Sequence, residues 1–188
     1  MKTKNKILIA KILSKLLTFF ISKNQIVIRN NIKWSLDLDE GIDLSVYLFG
    51  TSERKISNLK KLLSKKDNSL TIIDIGANIG SVCLKLARIF NNSKIFAIEP
   101  TNYAYNKLLN NLKLNRELEN RVFLRQLFIT NSKKPDKVWS SWNFDNTNKK
   151  HQKHLGTLKE IRQNAYLKLD QFIKNENLNS VDFIKLDV

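Results

Sequence analysis

The sequence predicts an α/β fold, a Rossmann-like parallel sheet with helices on both faces, and three observations carry that expectation. The segments "TIIDI", "KIFAIE" and "VDFIKLD" are short, dominated by β-branched and other apolar residues, and apolar on successive positions, as strands buried on both faces are. Segments of helical period lie between them, which parallel pairing requires, because a parallel neighbour is reached only by a crossover. The third observation is "DIGANIG", Asp74 to Gly80, in which a strand runs directly into two glycines. Gly76 lets the chain turn sharply, and Gly80 lets the next helix begin close to the sheet.

The elements follow in order. "QIVIRN" and "KWSLDLD" read as short strands, and "VYLFGTSERKISNLKKLLSKK" becomes helical from Ser52, which can cap it with Glu53 and Arg54 in the first turn. Residues 1–67 are therefore expected to form an N-terminal extension of mixed α and β structure, and residues 68–188 the sheet domain. Ile72–Ile75 is a buried strand, Gly80 to Phe90 a helix, Lys94 to Glu99 a second strand and Asn102 to Asn115 a second helix. Arg121 to Phe128 forms a third strand and Val181 to Asp187 another buried one. Between Thr130 and Gln163 the rhythm breaks. That stretch carries Pro135, Trp139, Trp142, His151 and His154 with Gly156 as a turn, and its length suggests a hairpin or lid over the site. "NAYLKLDQFIKNE" then resumes as a short strand leading to a helix.

Composition narrows the chemistry. Across 188 residues, 42% apolar and 27% charged content describes an ordinary globular chain, so disorder is not expected. The net charge of +16 raises an anionic partner such as nucleic acid, a phosphorylated substrate or a membrane surface, but the cations are mostly Lys and spread along the chain. Nucleic-acid binding is therefore not expected, since it calls for arginines interleaved with aromatic residues. Cys83 is the only cysteine, which excludes an intramolecular disulfide and fits a reducing, cytoplasmic setting. Its apolar neighbours make it a core residue. With two histidines and one cysteine no zinc-ligand spacing exists, and no carboxylate cluster marks a metal site.

At the amino terminus, Lys11 and Lys15 interrupt the roughly 20 apolar residues that a membrane-spanning helix needs, and "FFISKNQIVI" offers no signal-cleavage site. Residues 1–36 hold eight Lys/Arg and no acid. This amphipathic basic helix has two destinations: docking on its own domain, which is the default, or peripheral contact with an anionic membrane through residues 1–22.

In a doubly wound sheet, ligands bind beyond the carboxyl ends of the strands, where "DIGANIG" sits. A nucleoside triphosphate would want Gly-Lys-Ser/Thr, but Ser81 and Val82 follow Gly80. A dinucleotide wants G-x-G-x-x-G, and here Asn78 and Ser81 stand where the second and third glycines belong, which removes the close approach to a pyrophosphate. S-adenosylmethionine (SAM) has only an amino acid carboxylate to hold and suits this loop better. Glu99, which ends "KIFAIE" 23 residues after Gly76, stands where an acid accepts hydrogen bonds from ribose hydroxyls.

Taken in order and spacing, "DIGANIG", "AIEP", "KLDQFI" and "VDFIKLDV" resemble the FkbM family of SAM-dependent methyltransferases, and "YLFGTSERK" resembles the segment ahead of that family's glycine loop. The resemblance covers about residues 43–188. It implies a class I methyltransferase sheet, SAM as cofactor and transfer to oxygen, often a hydroxyl of a sugar, lipid-linked glycan or polyketide. By matching positions, Asp74, Gly76, Asn78 and Gly80 would hold the methionine end of SAM and Glu99 its ribose. Gln126 and Leu127 would flank adenine, and Asp187 would lie beside the methyl-transfer site. Similar sequences continue beyond "KLDV" with Glu-Gly-x-Glu and further strands, so strands five to seven are expected to be missing here.

Transfer to an alcohol needs alignment and a base for the hydroxyl proton. Asp187 is the candidate, with His151 or His154 in the lid as substitutes. Other readings stay open: an RNA methyltransferase, an NAD-dependent oxidoreductase using the same fold and Glu99, or an inactive basic binding fragment.

Overall fold

The computed structural model describes residues 3–50, 59, 63, 69–132, 135–140, 156–161 and 165–187. The expected helix start at Ser52, Glu53 and Arg54, together with Trp142, His151, His154 and Val188, lies outside the described residues.

Helix α1 (Thr3–Phe20) precedes an antiparallel hairpin, β1 (Asn24–Arg29) and β2 (Ile32–Asp37), and then α2 (Gly41–Phe49). Asn30 and Asn31 form the two-residue hairpin loop, both at positive φ, a conformation that asparagine tolerates better than most side chains. The central sheet contains β3 (Leu70–Ile75), β4 (Ser93–Ile98), β5 (Val122–Arg125) and β10 (Phe183–Leu186) in the order β10-β3-β4-β5. All its pairs are parallel. The crossovers carry α3 (Cys83–Ile89), α4 (Asn102–Lys113) and α5 (Leu169–Asn175).

Strand alternation divides β3 between two cores. Ile72 faces a cluster with Leu84, Leu86, Leu108 and Leu112 from α3 and α4, and this cluster also takes in Ile32, Trp34 and Leu36 of β2. Ile73 and Ile75 face a smaller cluster with Phe96, Ile98 and Phe172 of α5. The N-terminal hairpin and the sheet therefore share one core.

That junction is also polar. Asn111 on α4 and Asn115 just past its end offer amide edges to β2: the backbone N–H groups of Ser35 and Lys33 donate to their Oδ1 atoms at 2.8 and 2.9 Å, and Asn115 Nδ2 donates to Lys33 O at 2.8 Å. Two side chains thus stand in for a neighbouring strand. Asn111 Nδ2 donates onward to Ile79 O at 3.0 Å, which ties the glycine loop to the same ladder.

Two boundaries differ from the sequence expectation. Helix α3 begins at Cys83 rather than at Gly80, because Gly80 has φ +93 and cannot be helical. The third strand divides after Arg125. β6 (Phe128–Ile129) leaves the central sheet to pair in parallel with β9 (Tyr166–Leu167), and Gln126–Leu127 is the joint. The stretch expected to be a hairpin contains one, β7 (Lys137–Trp139) against β8 (Leu158–Glu160). A bridge from Thr101 to Ile161 pins it beside the end of β4, and Lys159 Nζ lies 3.8 Å from the Tyr103 ring centroid.

Candidate functional site

The strand order reverses at β3. The chain passes from β3 to β4 and β5 on one side, then returns to place β10 on the other. The crevice beyond the carboxyl ends of β3 and β10 is the switch point of the sheet. It is built from the Gly76–Gly80 loop, Glu99 and Asp187.

The loop needs its residue types. Gly76 has φ +74, and a Cβ there would lie 2.4 Å from the backbone oxygen of Asp187, so only glycine allows β10 to approach. Asn78 has φ +50, and its Oδ1 accepts from Ile79 N at 2.9 Å. At Gly80 an added Cβ would meet Leu108 Cδ1 at 2.6 Å and Leu84 at 3.1 Å, so the close approach it permits is to packed helices.

Glu99 is buried. Its Oε2 accepts from Asn78 N at 3.0 Å, and its Oε1 accepts from Thr101 N at 3.1 Å and Thr101 Oγ1 at 2.7 Å. Burial pushes its pKa up, opposed by those hydrogen bonds. A carboxylate has about four acceptor positions, so capacity for a hydroxyl donor remains. Thr101 also caps α4 by accepting from Ala104 N at 3.3 Å, fixing helix and acid together.

Asp74 is fully buried on the α3 side of the sheet, where burial raises its pKa against the opposing charge of Lys185. Lys185 Nζ lies 3.1 Å from Asp74 Oδ1, without the alignment of a hydrogen bond; neither carboxylate oxygen has an aligned donor among the described residues. The same ammonium donates to Gly76 O at 2.8 Å and sits 3.6 Å from Asp187 Oδ2. Lys185 thus joins strand acid, loop carbonyl and exposed acid from below. The Asp187 side chain is 78% exposed at the mouth of the crevice, while its backbone N–H donates to Ile75 O at 3.1 Å.

Gln126 and Leu127 lie at the joint after β5. Gln126 Nε2 donates to Asn102 Oδ1 at 2.6 Å, and the Leu127 side chain packs against the Phe96–Phe172 cluster. Sequence reasoning missed Lys185 and Thr101. Threonine opening a helix after the strand acid is a readable cap signal, whereas Lys185 had none, since its partners depend on β10 lying beside β3. Cys83 is fully buried, with its thiol pKa pushed well up by burial. No group of three or more metal-ligating side chains occurs among the described residues.

A sequence model described as Methyltransferase FkbM domain matches residues 74–188, from the acid of β3 past the end of β10. The chain belongs to the FkbM methyltransferase family. No curated protein matches it. Among solved structures, TYW2 of M. jannaschii in complex with AdoMet is 24% identical with a TM-score of 0.39, over 56% of this chain and 44% of that one. TYW2 of P. horikoshii in complex with MeSAdo is 20% identical with a TM-score of 0.42, over 64% and 47%. The N-terminal domain of human METTL16 in complex with SAH is 17% identical with a TM-score of 0.40, over 63% and 42%. The chain thus spans less than half the length of each of these structures. SAM is the methyl donor of the FkbM family, and the crevice fits it at one decisive point: Glu99, held by the loop it adjoins, retains acceptor capacity for a ribose hydroxyl.

Proposed function

We propose that this FkbM domain binds SAM at the β3–β10 crevice and serves O-methylation of a hydroxyl on a sugar, glycan or related small molecule. The observation that carries the reading is Glu99 locked to the glycine loop through Asn78 N. In this reading the Asp74–Gly80 segment receives the methionine end, Glu99 the ribose, and the Gln126–Leu127 joint flanks adenine. SAM supplies an electrophilic methyl group. The chain's own contribution is alignment, which can be worth ~7–11 kcal/mol, and acceptance of the hydroxyl proton.

Asp187 takes that proton. It is the exposed acid at the switch point, its backbone fixed to β3 and its carboxylate 3.6 Å from Lys185 Nζ. Binding is tested by titrating SAM and NAD calorimetrically into the chain. SAM binding that weakens by roughly 1.5–3 kcal/mol in Glu99→Ala is expected, and micromolar NAD binding with no SAM binding would establish the oxidoreductase reading instead. For the base, Asp187→Asn should keep SAM affinity and lose methyl transfer to an alcohol acceptor. An RNA acceptor would reveal itself by steeply salt-dependent RNA retention.

A further inference from the structure

Helix α1 has two apolar faces. Its inner face carries Ile7, Ala10 and Leu17, followed by Ile21 just past the helix end, onto Leu38 and Leu44, and is fixed by a buried hydrogen bond from Ser14 Oγ to Asp39 Oδ1 at 2.9 Å. Its outer face carries Leu8, Ile9, Ile12, Leu16, Phe19 and Phe20, all exposed, with the two phenylalanines at 82% and 79%. At 3.6 residues per turn these outer residues fill a continuous arc of roughly 120° opposite Ser14. Lys11 and Lys15 flank the arc on one side and Lys6 on the other, between the inner and outer faces.

We propose that the outer face of α1 seats on an anionic lipid surface while the inner face stays docked on the domain. This does not rest on the methyl-donor reading. A contiguous apolar patch of this kind is costly in water and marks an interaction surface. Charge identifies the occupant. Lysines edge the patch, residues 1–36 contain no acid, and long lysine stems place ammonium groups at headgroup level when an apolar face enters the interface. A second copy fits poorly, because pairing the same face would bring like-charged lysine rows together. No helix among the described residues is long and apolar enough to cross a membrane, so the helix would lie in the interface plane.

The test is co-sedimentation of the full chain with phosphatidylcholine vesicles and with vesicles mixing phosphatidylcholine and phosphatidylglycerol. Partition should favour the anionic vesicles by at least about tenfold and fall with salt. Phe19→Ser/Phe20→Ser should reduce it by about tenfold or more, and Lys11→Gln/Lys15→Gln should narrow the preference for anionic vesicles. Both pairs leave the docked face intact, so an unchanged thermal melt is expected. Equal partition of wild type and the phenylalanine variant, or no binding to anionic vesicles, would overturn the proposal. So would a dimer, seen by analytical ultracentrifugation, that the phenylalanine variant dissociates.

Discussion

The carboxyl ends of β3 and β4 present the same problem, a buried acid beside the glycine loop, and solve it in opposite ways. Among the described residues Asp74 has no aligned donor and is faced by the ammonium of Lys185, delivered from β10. Glu99 is satisfied by local N–H and O–H groups from Asn78 and Thr101, with capacity to spare. In the proposed reading, Asp74 belongs to the foundation of the loop, and Glu99 to its working surface.

The comparison predicts where substitutions act. The largest effect is expected for Lys185→Met, which strands Asp74 as an uncompensated buried charge and should cost about 3–5 kcal/mol in chemical denaturation at neutral pH. Asp74→Asn in that background should recover most of the loss. Acidification should also recover it: a carboxyl whose pKa is raised by folding stabilises the fold while protonated, and that contribution is lost as pH rises through the folded value.

A third buried acid, Asp43, sharpens the point, because its cation, Lys107, comes from α4 across the hairpin interface. Burial outweighs Lys107 and pushes the Asp43 pKa from 3.8 up to about 6. Relative to Asp43→Asn, wild type should therefore lose about 3 kcal/mol of stability as pH rises from about 4 to 6, as denaturation series at stepped pH would show. A flat difference over that window would mean that Lys107 neutralises the acid fully.

At Glu99 the effect should move from folding to binding. Glu99→Ala should weaken SAM by roughly 1.5–3 kcal/mol, with Glu99→Gln intermediate, because an amide keeps one acceptor oxygen. If Glu99→Ala unfolds the chain as Lys185→Met is expected to, the division between foundation and working surface fails. The smallest effect belongs to Asn115→Ala, which unpairs the Lys33 backbone at a partly open position and should cost about 1–2 kcal/mol in a thermal or urea melt.

The sequence by itself determined whatever depends on near neighbours. Apolar runs gave β3, β4 and β10, the two glycines and Asn78 gave a loop of positive φ, and Glu99 stood at its strand end, because backbone preference and strand burial are written within a few residues. Tertiary structure decided the rest. Lys185 is an ordinary lysine until β10 lies against β3 and brings it to Asp74, 111 residues away in the chain. Asn111 and Asn115 look like solvent-facing helix residues until β2 offers them a strand edge. The end of β5 could not be read either, since apolar residues resume at Leu127 directly after Arg125 and Gln126 while the partner strand changes. For α1, periodicity announced an amphipathic helix, but apolar residues on both sides left the inward face undecided. The buried Ser14–Asp39 contact, reachable only after the hairpin folds, selects it.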